Sequence, residues 1–313
     1  LHAVNAALAA QRQWLPLDPP DAGATIGGLV ASNDAGPRRH RYGAPRDLII
    51  GIEVALVDGR VVRAGGRVVK NVAGYDLSRL FCGSYGSLGV ITSATFRLAP
   101  LPQASRTLVA QTPSVQHAAR LALELAASTL TPSCVELTAP DGRLLVRIES
   151  TPRAADRMAA AAAALLAKAP AEVVILDGDR EAAVWRDHAA TDPADSLVAA
   201  SVLPTRLAAL LAALQADARE AAPWRAVARA ALGVVEVCIG GDPAAQAHAI
   251  EQVRRRVHEA GGHARVARAG AGVLAAVPAW DPPRPAARVA AAVKRQFDPA
   301  GILPWPWPEA IHG

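Results

Sequence analysis

The apolar residues of this chain follow two different spacings, and the change from one to the other divides the sequence. LIIGIEVAL at 48–56 is a β-rich apolar run, Asp58-Gly59 is a hairpin turn signal, and VVRA at 61–64 supplies the returning strand. A short helix is expected around Asp76–Phe81, a glycine-rich turn over Gly83–Gly89 and a strand over Val90–Leu98. In that strand Ile91, Ser93, Thr95 and Arg97 alternate with Val90, Thr92, Ala94, Phe96 and Leu98. Pro100 and Pro102 end this region. Beyond it the pattern predicts a strand at 107–111, an amphipathic helix at 114–129 and strands at 134–138 and 143–149 about the Asp141-Gly142 turn. A mostly alanine helix at 153–168 and a strand at 172–176 complete a β-α-β-β-α-β series. The series then repeats loosely, with strand 196–202, helix 204–220, strands 226–230 and 234–239, helix 243–260 and strand 264–268. Two ferredoxin-like halves in one sheet suit this order. A helix at 283–297 and the Pro/Trp tail ILPWPWPEA finish the chain.

The boundary between the regions is expected near residues 99–104, giving α+β domains at 1–102 and 103–313. A length of 313 residues is enough for two such cores. The net charge of +5, from 33 basic and 28 acidic residues with most arginines scattered singly, permits an anionic ligand without predicting a nucleic-acid partner. Cys82, Cys134 and Cys238 lie far apart and form no CxxC pair, so no disulfide framework, zinc site or iron–sulfur cluster is expected in this chain. His258, His263 and His312 lack metal-ligand spacing and carboxylate company, and no metal site is expected there. No apolar run reaches the ~18–20 residues of a membrane span, and no secretory signal is evident, so the expectation is a cytoplasmic chain without a transmembrane segment. Residue 1 is Leu and the only methionine is Met158, from which a start upstream of Leu1 is expected.

The densest chemistry lies in ATIGGLVASNDAGPRRHRYG at 24–43. Gly27 and Gly28 have no Cβ, so backbone there can approach a bulky ligand or take φ > 0. A helical-looking step over Leu29–Ser32 runs into Asn33, Asp34 and Gly36, which favour turns. Arg38, Arg39, His40 and Arg41 follow as donors for phosphate or carboxylate. Together they suggest backbone wrapped around an extended anionic ligand. A structural turn at the glycines and a solvated basic loop are the plainer alternatives.

This segment, with VVKNVAGYD at 68–76, GSYGSLGVI at 83–91 and FDPAGIL at 297–303, resembles the FAD-binding domain of the vanillyl-alcohol-oxidase or PCMH type. Within that family it is most similar to the FAD-binding (E-type) subunits of glycolate oxidases. The resemblance is strong over about the first hundred residues and rests on order and the late motif beyond. It implies FAD as cofactor, with contacts from Thr25, Ile26, Gly27, Gly28, Ser32 and Asn33. Gly36, Arg38, Arg41, Tyr42 and Gly43 would continue that wall, and Gly89, Val90 and Ile91 would supply a return strand against it. Lys70, with Asn71 beside it, is the catalytic candidate, placing positive charge where the flavin gains negative charge on reduction. Asp76 is placed to cap the next helix.

The resemblance also implies that the diphosphate-cradling first subdomain precedes Leu1, and that residues 103–313 form an FAD-linked oxidase C-terminal-like cap. The implied function is FAD-dependent oxidation of glycolate or a similar 2-hydroxy acid. The chain would act as one subunit beside a catalytic flavoprotein subunit and an iron–sulfur subunit, peripheral at the inner membrane through them. An electron-relay or assembly subunit without its own substrate site is the alternative. A reductase of the same fold that uses NADPH on an enolpyruvyl sugar ranks below both.

Overall fold

The computed structural model describes residues 1–21, 23–67, 75–167, 171–217, 222–281 and 287–305. They fall into two compact units, one from Leu1–Leu101 with the segment after Pro282, the other Pro102–Asp281. The first unit begins with α1 (His2–Ala9), β1 (Gln13–Trp14), α2 (Ile26–Ser32), α3 (Arg39–Tyr42) and α4 (Pro45–Leu48). It continues with β2 (Ile49–Ala55), β3 (Val61–Gly65), α5 (Leu77–Phe81), β4 (Val90–Phe96) and β5 (Ala99–Pro100). The expected hairpin is present, with Ala55 opposite Val61 and Val54 opposite Val62. β4 pairs on the other side of β2, giving an antiparallel sheet of order β3-β2-β4. Asp76 caps α5 by accepting from the Arg79 amide at 3.2 Å, as its position predicts.

Two small cores hold this unit, and α2 joins them. Val30 lies with Ile49, Ile52, Val54, Phe81, Cys82 and Leu88, whereas its neighbour Leu29 lies with Leu15, Leu17 and Leu48. Consecutive residues of one short helix thus anchor it in two directions, which sets how its remaining face is presented.

The second unit runs β6 (Ala104–Gln111), α6 (Val115–Ala127), β7 (Cys134–Ala139), β8 (Arg143–Ser150), α7 (Pro152–Leu166), β9 (Glu172–Leu176) and α8 (Gly178–Ala189). It then repeats as β10 (Ser196–Ser201), α9 (Pro204–Asp217), β11 (Trp224–Arg229), β12 (Val234–Ile239), α10 (Pro243–Glu259) and β13 (His263–Arg268), followed by α11 (Ala271–Leu274). One sheet of order β13-β10-β12-β11-β7-β8-β6-β9 contains all eight strands. Each half has the ferredoxin-like order, and the halves meet where β7 and β11 pair antiparallel, from Ala226 opposite Ala139 to Ala228 opposite Leu137. Leu108, Leu137, Val146, Ala228 and Val237 pack one face of the sheet against Leu121, Leu207 and Ile250 of the helices.

Helix α8 was not expected. Its two buried residues are Glu181 and His188, so it shows no apolar stripe. It lies on the other face of the sheet, where Thr107 and Arg147 alternate with the core residues Leu108 and Val146.

A correction concerns the C-terminal segment, which the sequence grouped with the second domain. Helix α12 (Ala287–Phe297) belongs to the first unit, with Val293 and Phe297 packed against its core. Phe297 meets Phe81 edge-on, with ring centroids 5.4 Å apart at 84°. Residues 283–286 of the expected helix lie outside the described residues.

Candidate functional site

Segment 24–43 folds into two parts with different chemistry. Thr25 is the N-cap of α2, and its Oγ1 accepts from the Gly28 amide at 3.0 Å. The Thr25 carbonyl accepts from the Leu29 amide at 2.9 Å. The amides of Ile26 and Gly27 precede Leu29, the first amide with an intrahelical acceptor, and point out of the helix start. Gly27 is uncrowded: among the described residues a Cβ there would meet only the Ile91 carbonyl oxygen, in ordinary contact at 4.0 Å. Gly28 is exposed, and a side chain there would press on the cap, 3.1 Å from Thr25 Oγ1. Neither glycine has a positive φ; the cap accounts for Gly28, and close approach of another group is the reason left for Gly27. The structure therefore brings Thr25, Ile26, Gly27, Gly28 and Ile91 together, with the Ile26 side chain packed on the Leu15–Leu48 core.

The rest of the segment is explained by local structure. Asn33 closes α2 in the left-handed region at φ 57°, and its Oδ1 accepts from the Arg46 amide at 3.0 Å and from the Cys82 thiol at 3.3 Å. Burial pushes that thiol up to about 12, with the charge of Arg46 opposing, so Cys82 is no nucleophile at neutral pH. Ser32 Oγ accepts from the Asp34 amide at 3.3 Å. Gly36 is required because a Cβ would lie 1.8 Å from the Asp18 carbonyl oxygen. Arg38 is engaged by the same residue: its amide donates to the Asp18 carboxylate at 3.0 Å, and its guanidinium stacks 4.8 Å over the Trp14 ring. Tyr42 meets Trp14 edge-on, Arg41 stacks on Tyr42, and Gly43 sits at φ 84° against Asp47. Asp18 organises this turn, and no motif marks it in the sequence.

On the return strand, Gly89 has a structural reason as well, since a Cβ would lie 2.5 Å from Val54 Cγ1. Val90 is 60% exposed, and Ile91 packs on the first core beneath Gly27. Lys70 and Asn71 lie outside the described residues.

Two charged groupings went unseen in the sequence. In the first unit, Lys294 donates to the Ser87 carbonyl and the Leu303 carbonyl, both at 2.9 Å, and to the Asp298 carboxylate. In the second unit, Glu181 accepts from Ser105, Thr107 and Arg147 at 2.6, 2.8 and 3.0 Å. Beside it, buried Glu136 faces His188 at 3.3 Å and Arg229 at 3.8 Å. Among the described residues no group of three His, Cys, Asp or Glu side chains is placed to hold a metal ion. Nor is any described helix long and apolar enough to cross a membrane.

With that geometry in view, residues 1–65 match the FAD binding domain family. The chain is 42% identical over 122 residues to glycolate oxidase subunit GlcD of Bacillus subtilis, covering 38% of this chain and 26% of that protein. It is 49% identical over 110 residues to glycolate oxidase subunit GlcE of Escherichia coli, covering 34% of this chain and 31% of that protein. A mitochondrial cytochrome-type D-lactate dehydrogenase of Arabidopsis thaliana is 45% identical over 124 residues, 40% of this chain and 22% of its own. The chain thus spans about a quarter to a third of the length of these relatives.

Solved structures extend the likeness of fold to nearly the whole chain. An alkyldihydroxyacetonephosphate synthase superimposes with a TM-score of 0.67 at 18% identity, over 96% of this chain and 62% of its own. The VAO-type flavoprotein MtVAO615 of Myceliophthora thermophila C1 does so with 0.66 at 16% identity, over 96% and 63%. The fold is that of the VAO-type flavoproteins, an α+β arrangement.

Proposed function

We propose that this chain, with its first 65 residues matching the FAD binding domain family, is an FAD-binding subunit of an oxidoreductase acting on glycolate or a similar small 2-hydroxy acid. The observation that carries the reading is the open face at Gly27, inside the matched segment and opposite the Ile91 backbone. A flat ring or a diphosphate needs backbone that comes close and amides that are not already spent, and Thr25–Gly28 offers both. When bound, FAD would supply the acceptor for the hydride leaving the substrate α-carbon. Thr25, Ile26, Gly27, Gly28 and Ile91 are the residues that would hold it. Arg38, Gly36, Gly43 and Gly89 would act behind them, since each is committed to a neighbouring residue. Lys70 and Asn71 stay in this reading as the charge-stabilising pair.

The partners proposed are a catalytic flavoprotein subunit and an iron–sulfur subunit of one complex. Attachment to those partners would hold a cytoplasmic chain at the periphery of the inner membrane. Relatives named as glycolate oxidase subunits support a place in a multi-subunit complex.

A Gly27→Ala substitution separates cofactor binding from folding. Alanine favours the helix over glycine by roughly 0.5–1 kcal/mol, and among the described residues only the Ile91 carbonyl, at 4.0 Å, meets the new methyl group. The melting temperature should therefore hold or rise, while FAD affinity, followed by flavin fluorescence, falls at least tenfold. Unchanged affinity would remove Gly27 from the site. The broader reading is tested by the visible spectrum of the purified chain and of a longer form extended upstream, each titrated with FAD. A chain colourless in both forms sinks it. A flavin band that glycolate or D-lactate fails to bleach in the assembled complex favours the relay or assembly subunit instead.

A further inference from the structure

The geometry points to Lys294 as a positioning residue that holds the Ser84–Ser87 turn, and through that turn the helix that presents Thr25–Gly28. Lys294 is 8% exposed, and an ammonium has three donors. All three are used, on Ser87, Leu303 and Asp298. Asp298, 2% exposed, also accepts from the Ile302 amide at 2.9 Å and the Leu303 amide at 2.8 Å. The segment after α12 therefore folds back on a closed polar knot, from which the Lys294 ammonium reaches out to Ser87.

The turn that Ser87 ends is internally tied, with the Ser87 amide and hydroxyl both donating to the Ser84 carbonyl at 3.0 and 2.6 Å. Its other side meets the end of α2. The Gly83 amide donates to the Val30 carbonyl at 3.0 Å, and the Tyr85 amide to the Ala31 carbonyl at 2.8 Å. Those carbonyls lie in the last turn of α2, where i+4 donors run out; the Val30 carbonyl also accepts from the Asn33 cap amide at 3.3 Å. Tyr85 holds φ 53°, a left-handed conformation that a side chain rarely adopts and that its surroundings must enforce. A continuous set of bonds thus runs from Lys294 through Ser87, Ser84, Gly83 and Tyr85 to Val30 and Ala31. Gly27 and Gly28 lie in the same seven-residue helix, within one turn of those carbonyls. The consequence for cofactor binding rests on the flavin reading above; the positioning itself does not.

The test compares the full chain with a Lys294→Met/Asp298→Leu double variant, which removes both charges together and leaves neither buried alone. A Lys294→Gln variant, which keeps N–H donors, serves as the conservative comparison and as the folded alternative should the double variant not fold. Hydrogen exchange at the Gly83 and Tyr85 amides is read first. At least tenfold faster exchange there is expected in the double variant, with strand amides of the second unit unchanged and the glutamine variant in between. FAD titration should show a loss of affinity of at least tenfold in the same order. Unaltered exchange at Gly83 and Tyr85 overturns the positioning role. Faster exchange with unaltered FAD affinity overturns its link to the cofactor. Should neither the unsubstituted chain nor its upstream-extended form bind FAD while exchange responds, the positioning stands and the flavin reading falls.

Discussion

Replacing Glu136 with alanine is expected to lower the stability of the second unit by about 3–5 kcal/mol, the range for removing one partner of a buried ion pair. Glu136 is fully buried on β7, with the His188 imidazole 3.3 Å from one carboxylate oxygen and the Arg229 guanidinium 3.8 Å from the other. Both partners are themselves only 4% exposed. Without the carboxylate, Arg229 keeps Glu236 at 2.9 Å, but His188 loses its hydrogen-bond partner and Arg229 a buried opposite charge. The loss is a large share of the 5–15 kcal/mol typical of a folded domain. Urea unfolding followed by the fluorescence of Trp185, Trp224 and Trp280 would measure it. Glu124→Ala is the control, since its pair with Arg120 sits on the surface of α6 at 42% and 53% side-chain exposure. A Glu136→Ala midpoint as close to wild type as that of Glu124→Ala would show that the cluster adds nothing. Glu136→Gln, which keeps an acceptor, should fall between the two.

An Asp298→Ala substitution should be comparably costly, about 3–5 kcal/mol, and its cost should depend on pH in a definite direction. Burial alone would raise the carboxyl of Asp298, but the hydrogen bonds from Lys294 and from the amides of Ile302 and Leu303 outweigh it and hold it below its ordinary value. A carboxyl lowered in the folded chain stabilises it fully above the unfolded value of about 3.9. That contribution disappears as pH falls through the lowered folded value. The wild type should therefore exceed Asp298→Ala most at neutral pH, and the gap should close as the solution is taken well below pH ~4. Urea midpoints of both proteins across that acid range would show it. A gap that stays constant with pH would mean that the charge of Asp298 contributes nothing to the fold.

The parts of this molecule legible in its sequence are those that short-range chemistry dictates. Asp58-Gly59 announced the β2–β3 hairpin, Asp76 the start of α5, and the double β-α-β-β-α-β order the eight-stranded sheet. Helix α8 was illegible because it buries Glu181 and His188 instead of an apolar stripe, and burial of charge leaves no periodicity. The knot of Lys294 and Asp298 was illegible for another reason: its reach to Ser87 spans 207 positions, which no local pattern encodes. Within the candidate site, the glycines divided by what surrounds them. Gly36 and Gly89 are crowded by Asp18 and Val54, while Gly27 is open. From sequence alone the three look alike.

Because α12 returns to the first unit, the second unit is an insertion within the first. This bears on the order in which the chain can fold as it is synthesised. Residues 102–281 are complete in themselves and can condense as soon as they have been made. The first unit must wait for both of its pieces, and closing so long a loop is entropically unfavourable unless the intervening chain is already compact. The Ser84–Ser87 turn therefore finds its ammonium partner only 207 positions later, once the residues of the intervening sheet have been made.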